Sequence, residues 1–388
     1  MTSAAGTAVA GEVAPGWEPV REALAANGSP ADGDPGDLGA AMCVVVEGRS
    51  VVDLWHGWAD LAGTRPWTED TLVNAYSVVK PVAAVLALLD VRDGLVDLDE
   101  PLARVWPELT GQGRELITLR HVLAHRAGLP AVREPLPEDA VYSWDAMTAA
   151  LARTRPWWPP GSAHGYHVNT FGFLAGEPVR RLHGVGFGAA LRDRLTGPLG
   201  LDLHVGVPGD ALARVAEMDV PGPVDASFLP GVDNDPDPPM LRHAYMNPVG
   251  LSGMGVVNSD RWRRAAVPST NGHSTARSLA RFYADLVGPR PSLPVELIAA
   301  ATRTQAEGPD RVLGRPSRFG LGFMLHQDSR PIGLGPTSFG HYGYGGSLGF
   351  ADPETGVAFA YLINRPGDRW QNPRTRRLIA AVRHCLSG

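Results

Sequence analysis

The stretch TLVNAYSVVKPVAAVLALLDVRDG, residues 71–94, combines a polar start with the longest apolar run of the chain. Residues 81–93 are apolar on nearly every side and contain no glycine, and Gly94 is placed to end a helix. This pattern predicts a deeply buried helix. Pro81 fixes its start, because proline is tolerated only in the first turn of a helix, where its missing N–H has no partner to lose.

Ser77 and Lys80 lie three residues apart at that start, so the hydroxyl and the amine are expected on one helix face. A helix N-terminus offers backbone N–H groups and a positive dipole end to an oxyanion. Burial and the dipole disfavour a charged Lys80, so a neutral amine could accept the serine proton. The chain has 35 Lys and Arg residues, of which only Lys80 is a lysine, and arginine could not act as this base. We therefore expect Ser77 to be a nucleophile.

The composition is that of an ordinary folded protein, with 388 residues, 44% hydrophobic and 20% charged residues and a net charge of -6. Its arginines are dispersed, so we expect no nucleic-acid partner and no anionic lipid surface. Cys43 and Cys385 cannot make a disulfide framework. No apolar run reaches the ~18 residues of a membrane span, and the N-terminus lacks the basic start of a signal peptide. The sequence therefore predicts a cytoplasmic protein without a membrane segment.

Strand patterns lie on both sides of the predicted helix. Residues 40–58 predict two strands around a turn at residues 47–49, and the C-terminal part holds four short β-prone runs. Residues 204–252 have almost no periodicity, which predicts long loops packed over a cleft. Further helices are expected at 118–126, 143–154, 170–183, 186–195, 273–287 and 373–385, and the C-terminal β-prone runs are 319–326, 338–346, 347–354 and 356–365.

We predict from this order an α/β (α+β) sandwich, in which an antiparallel sheet from both chain ends is flanked by helices and a mostly helical domain is inserted. The predicted α/β domain comprises residues 1–103 and 265–388, and the helical, loop-rich domain comprises residues 104–264. The active site is expected in the cleft between them.

Several stretches together resemble class C β-lactamases, penicillin-binding proteins and, more closely, family VIII carboxylesterases and related acyltransferases. The resemblance spans nearly the whole chain and implies a β-lactamase/transpeptidase-like fold, an acyl-enzyme on Ser77 and no cofactor. The stretches that carry it are TLVNAYSVVKP (71–81), VLAHRAGLP (122–130), PPGSAHGYHVNTFGFLAGEPVRR (159–181), STNGHSTARSLARFYADL (269–286) and FGHYGYGGSLGFADPETGVAFAYLINR (339–365).

By this resemblance, Tyr166 matches the family tyrosine that faces the serine and the lysine, as general base or proton shuttle. A positive charge on Lys80 would be needed to favour its phenolate. His341, followed by Tyr and Gly, stands where the family has Lys-Thr-Gly, and Val168 stands where it has the asparagine of Tyr-x-Asn. Both departures point away from anionic β-lactams and peptidoglycan.

The resemblance also implies an oxyanion hole formed by the backbone N–H groups of Ser77 and Tyr344. The favoured function is a carboxylesterase acting on small esters. The alternatives are acyl transfer to an amine or alcohol in natural-product biosynthesis, and β-lactamase or D-amino-acid peptidase activity. The expected partner is a small ester or acyl compound, and the oligomeric state is left open. The predicted substrate-binding residues are His341, Gly343, Gly345, His167 and Asn271.

A rival nucleophile is Ser347 in GGSLG, residues 345–349, which fits the G-x-S-x-G elbow of α/β-hydrolases. Asp352 or Asp368 together with His384 could complete a triad in the required chain order. An elbow needs a strand before the serine and a helix after it, whereas the residues after Ser347 predict strand, turn and strand. We therefore favour Ser77.

Two histidine pairs have loosely metal-like spacing, His121 with His125 and His164 with His167. Neither pair has a carboxylate nearby that completes a known metal-binding pattern. We expect no metal site.

Overall fold

The computed structural model describes residues 8–31, 33–220, 238–368 and 370–388. A nine-stranded antiparallel sheet dominates it, and its strands come from both chain ends, which confirms the predicted sandwich. The strands are β1 (Ala10–Val13), β2 (Gly39–Val46), β3 (Arg49–Gly57), β4 (Val73–Asn74), β5 (Leu203–Val205), β6 (Gly272–Ser274), β7 (Ala306–Pro309), β8 (Pro316–Phe319), β9 (Met324–Leu325), β10 (Phe339–Tyr342), β11 (Leu348–Asp352) and β12 (Val357–Ile363). The large sheet has the order β1-β3-β2-β12-β11-β10-β9-β8-β7, and β4-β6-β5 form a small second sheet.

The predicted hairpin over residues 40–58 is confirmed as β2 and β3. Its two turn residues, Glu47 and Gly48, both have positive φ angles, 47° and 79°. Such a turn matches the right-handed twist of the strands that it joins.

Helices cover both faces of the large sheet because alternate residues of each strand point to opposite sides. Ala358, Ala360 and Leu362 of β12 join one apolar cluster, and Phe359 and Tyr361 join another. The α-helices of the described residues are α1 (Glu18–Asn27), α2 (Lys80–Arg92), α3 (Leu119–Leu123), α4 (Trp144–Arg153), α5 (Phe171–His183), α6 (Phe187–Leu191), α7 (Pro238–Met246), α8 (Asp260–Arg264), α9 (Ala276–Val287), α10 (Val295–Thr302) and α11 (Pro373–Ser387). The first cluster lies under α2 and α9, and the second under α1 and α11.

Helix α2 is the predicted buried helix, with every residue from Lys80 to Asp90 buried. The helices expected at 143–154, 170–183, 273–287 and 373–385 are also present, as α4, α5, α9 and α11.

The prediction of loops throughout residues 204–252 is wrong at α7, and residues 221–237 lie outside the described part. Met240, Leu241 and Ala244 are buried on one side of α7, so its short amphipathic pattern is sufficient for a helix. Two prolines, Pro238 and Pro239, occupy the first turn, where proline is tolerated. The division into two domains at residues 103 and 264 stays a prediction.

Candidate active site

Ser77 lies in a single 3₁₀ turn, Tyr76–Val79, that leads directly into α2. The Oγ atom of Ser77 is 2.8 Å from Nζ of Lys80, the first residue of α2. Lys80 Nζ also donates a hydrogen bond to the carbonyl oxygen of Ser269 at 3.0 Å. The side chain of Lys80 is completely buried, and burial holds its pKa well below the usual value. Burial therefore favours the neutral form of this amine, which is in contact with the serine hydroxyl.

The backbone before Ser77 is held in an unusual conformation. Tyr76 has a φ angle of 49°, which a residue other than glycine rarely adopts. Ala75 N–H donates to Gly272 O of β6 at 2.8 Å, and the Asn74 side chain donates to Thr270 O at 3.0 Å. These contacts with the 270–272 segment fix the strand that precedes the turn. Such locally strained turns occur preferentially at functional sites.

Tyr166 packs against this pair in a buried aromatic environment. Lys80 Nζ lies 4.8 Å from the centroid of the Tyr166 ring, and the ring stacks on Phe319 at 5.9 Å. Burial raises the pKa of the Tyr166 phenol well above its usual value, and the proximity of Ser77 opposes part of that rise. Among the described residues, no partner completes a hydrogen bond of good geometry with its hydroxyl. Burial therefore favours the protonated phenol.

His341 is completely buried beside these groups, with its ring 5.8 Å from that of Tyr166. Its Nδ1 atom lies 2.6 Å from the carbonyl oxygen of Tyr342 and must carry the proton, because a carbonyl only accepts. Its Nε2 atom is a bare acceptor with no partner in the described part of the chain. Burial, reinforced by Lys80, lowers the pKa of His341 to about 3. The position where the family has a positively charged lysine therefore carries no charge here.

The end of β10 approaches the Ser77 turn closely at Gly343. A Cβ atom added to Gly343 would lie 2.6 Å from Ala75 O and 2.9 Å from Val78. Tyr344 follows as the first residue of a second 3₁₀ turn, so its N–H comes from the segment packed against Ser77. This close approach is consistent with the expected oxyanion hole, which stays a prediction. Gly345 has a φ angle of 71° and packs against Pro366, so its small size serves the turn itself.

Two predicted substrate-binding residues have their side chains hydrogen-bonded to the protein backbone. His167 is buried, its Nδ1 lies 2.7 Å from Gly165 O, and its Nε2 accepts from Leu129 N–H at 3.1 Å. Burial lowers its pKa to about 4, and both nitrogens of the neutral ring are thus in use. The Asn271 side chain accepts from Val267 N–H and donates to Trp262 O and Ala265 O. Neither side chain has a hydrogen-bonding group left for a substrate.

Asp310 is a residue of the site that the sequence did not indicate. Its Oδ1 accepts from the backbone N–H groups of Tyr166 at 3.0 Å, Val312 at 2.9 Å and Leu313 at 2.8 Å. Its Oδ2 accepts from the Ser317 hydroxyl at 2.7 Å. Asp310 therefore ties the backbone of Tyr166 to the turn between β7 and β8, a contact over 144 residues that no local pattern reveals.

The rival Ser347 does not have the geometry of a nucleophile elbow. It is buried, it is followed directly by β11, and its Oγ accepts from Ile363 N–H at 3.3 Å. The α/β-hydrolase interpretation is therefore wrong. Within the described ranges, no group of three or more His, Cys, Asp or Glu side chains is arranged to hold a metal ion.

Comparison with known proteins links this geometry to one family. The family model described as Beta-lactamase matches residues 25–384. The chain is 35% identical over 343 residues to esterase/beta-lactamase LipL of Mycobacterium tuberculosis, which covers 84% of this chain and 77% of LipL. Among solved structures, a family VIII carboxylesterase superposes with a TM-score of 0.86 at 34% identity, covering 97% of this chain and 99% of that one. A novel penicillin-binding protein homolog from Caulobacter crescentus has a TM-score of 0.85 at 36% identity, with the same two coverages.

Proposed function

The chain belongs to the beta-lactamase family, and on that premise we propose that it is a serine esterase that forms an acyl-enzyme on Ser77. The observation that carries this proposal is the 2.8 Å contact between Ser77 Oγ and a fully buried Lys80, whose pKa is lowered by that burial. The names of LipL and of the family VIII carboxylesterase support ester hydrolysis.

In the proposed first step, Ser77 Oγ forms a bond to the ester carbonyl carbon while its proton passes to Lys80 Nζ. The N–H groups of Ser77 and Tyr344 would bind the oxyanion. The bond to the alcohol then breaks, and the leaving oxygen takes the phenolic proton of Tyr166, which recovers one from Lys80. Water repeats the sequence on the acyl-enzyme. The directions of the two pKa shifts support Lys80 as the base and Tyr166 as the proton donor.

The test is turnover of p-nitrophenyl acetate and butyrate beside the cephalosporin nitrocefin, with Ser77→Ala and Ser347→Ala in parallel. We expect Ser77→Ala to lower ester turnover by about 10³-fold or more, because the nucleophile and its base act as a unit. Ser347→Ala is the matched control and should stay within a few-fold of wild type. The reverse pattern would overturn the proposal.

Acyl transfer to an amine or alcohol is the second candidate. The same acyl-enzyme on Ser77 can be resolved by an amine or alcohol in place of water, with Lys80 and Tyr166 moving the protons in either case. Adding butylamine to the ester assay tests it, because an amide product in excess of acid would establish transfer.

β-Lactamase activity is less well supported, since the uncharged His341 offers no positive charge to a lactam carboxylate. We accordingly expect nitrocefin to be the poorer substrate. None of the helices in the described ranges combines the length and apolar character needed to cross a bilayer. A cytoplasmic location stays a prediction.

A further inference from the structure

The turn between β7 and β8 is a rigid unit attached to Tyr166. Asp310 N–H donates to Arg315 O at 3.2 Å and Gly314 N–H donates to Asp310 O at 3.1 Å, which closes the turn on itself. The Asp310 carboxylate accepts from the Tyr166 N–H at 3.0 Å. The position of Arg315 is thus set relative to Tyr166 by short backbone contacts rather than by a loose loop.

The side chain of Arg315 lies along the wall of the active site. Its guanidinium is 5.0 Å from the ring centroid of Trp370, and the Trp370 ring meets the Tyr166 ring edge to face at 5.9 Å. Tyr245 of α7 is close to both Tyr166 and Arg315. It acts electrostatically on the pKa of Tyr166, and Arg315 acts electrostatically on the pKa of Tyr245. Arg315 therefore lies one aromatic ring away from the proposed proton donor.

Arg315 is a half-buried cation that has no direct ion-pair partner in the described part of the chain. Its guanidinium makes no ion pair and no hydrogen bond with the described residues, and the Asp310 oxygens are taken up by Tyr166, the turn and Ser317. Burial and the like charge of Arg330 lower the pKa of Arg315, the nearby Asp310 charge opposes that shift, and the guanidinium stays protonated. Partial burial of a charge without a direct ion pair is unfavourable, and the described residues offer Arg315 only the face of Trp370 and the more distant charge of Asp310.

We propose that Arg315, stacked on Trp370, binds an oxyanion group, carboxylate or phosphate, on the leaving alcohol of the ester. This inference rests on the proposed esterase function. The alcohol side is favoured because Tyr166 protonates the leaving oxygen, and Trp370 and Arg315 extend the site beyond Tyr166. Guanidinium groups pair with both oxyanions through two parallel N–H donors. His341 is neutral, so Arg315 would supply the charge recognition that position 341 lacks.

The experiment compares 4-acetoxybenzoate with its neutral methyl ester, two acetates whose phenol leaving groups differ by one charge. The readout is the ratio of their kcat/KM values, which cancels the different intrinsic reactivities when variants are compared. A third substrate, 4-acetoxyphenyl phosphate, distinguishes phosphate from carboxylate. Arg49→Gln is the matched control, because Arg49 is an exposed arginine at the opposite end of the sheet from Gly343.

We expect Arg315→Gln to lower the ratio of anionic to neutral ester by about tenfold or more, the effect of losing a charge-assisted hydrogen bond. Arg315→Lys should retain part of the ratio, and Arg49→Gln should retain all of it. Thermal melts show that each variant is folded. An unchanged ratio in folded Arg315→Gln, or an equal fall in Arg49→Gln, would overturn the proposal.

If wild type hydrolyses none of these acetates, the esterase proposal fails while the anion site remains testable. Calorimetric titration of wild type and Arg315→Gln with 4-hydroxybenzoate and 4-hydroxyphenyl phosphate then decides. Binding of either probe that is at least tenfold weaker in the variant supports the site, and equal binding, or none in wild type, contradicts it.

Discussion

Two buried polar clusters of this protein differ in how completely their polar groups are hydrogen-bonded. In the first, between the large sheet and α11, both oxygens of Asp37 are hydrogen-bonded to Tyr361 at 2.7 Å. Arg374 donates to the same carboxylate at 2.6 Å, and His56 lies 3.3 Å from it. In the second, around Ser77, Lys80 has no carboxylate partner, and the Tyr166 hydroxyl and His341 Nε2 are without partners among the described residues.

This difference distinguishes a cluster that stabilises the fold, around Asp37, from one that is suited to catalysis, around Ser77. The buried Asp37 carboxylate is paired with a guanidinium, a phenol and an imidazole and needs no ligand, although one guanidinium nitrogen of Arg374 has no partner among the residues that the structure describes. In the described ranges, the Ser77 cluster leaves a donor and an acceptor without partners, and burial favours the neutral form of its lysine. Open groups of this kind in a buried site are expected where a substrate completes the hydrogen bonding.

The largest difference between the effect on activity and the effect on stability is expected for Lys80→Met. This substitution removes the proposed base and should lower kcat/KM by about 10³-fold or more. The same change should raise Tm by about 2–5 °C. Burial lowers the pKa of Lys80 in the folded protein, so unfolding at neutral pH is accompanied by proton uptake on Lys80. This uptake favours the unfolded state of wild type, and Lys80→Met removes it. The gain should shrink as the pH rises toward the unfolded pKa of about 10.4.

Lys80→Arg is the control, because arginine keeps a positive charge at this position and cannot give up its proton. It should be inactive and less stable than wild type. A lower Tm for Lys80→Met than for wild type would contradict the assignment of Lys80 as an uncompensated buried amine.

Tyr166→Phe should lower kcat/KM by about 10²-fold without loss of stability. Phenylalanine keeps the ring contacts with Phe319 and Trp370, and the deleted hydroxyl makes no hydrogen bond of good geometry with any described residue. General acid catalysis typically contributes at least this factor.

The pH profile tells the two groups apart. In wild type the rate should fall only when the pH drops through the lowered pKa of Lys80, because protonation removes the base. Tyr166→Phe should keep that acidic limb. Its disappearance in the variant would assign the limb to Tyr166 instead.

Asp37→Asn should lower the free energy of unfolding by about 3 kcal/mol, because it leaves Arg374 without its closest counter-charge in a buried site. Asp99→Asn is the control, since Asp99 pairs with Arg120 at an exposed position and should change stability by under ~1 kcal/mol. Urea unfolding measures both. Equal effects would show that the Asp37 cluster is no more than a surface ion pair.

Much of the fold could be predicted from short-range patterns. The hairpin at residues 40–58 and the buried α2 follow from alternation, apolar runs and the position of Pro81, and both are confirmed. The spacing predicts that the Ser77 and Lys80 side chains meet. They do so although Ser77 lies in a 3₁₀ turn, because that turn continues directly into α2.

The details of the site depend on contacts that span the chain. Asp310 reaches the Tyr166 backbone across 144 residues, and Lys80 bonds a carbonyl 189 residues away. His167 and Asn271 lie in motif stretches, yet their side chains serve the backbone, and motif position alone does not say where a side chain points. Arg315 lies outside the motifs, and its position beside the site follows only from its contacts with Trp370 and Asp310.

The burial of Lys80 also has a consequence for handling the protein. Because Lys80 is the only lysine and is completely buried, the folded chain offers no side-chain amine to solvent. Amine-reactive dyes and cross-linkers would therefore leave the native side chains unmodified. Modification of Lys80 by such a reagent would instead report the fraction of molecules in which this core has opened.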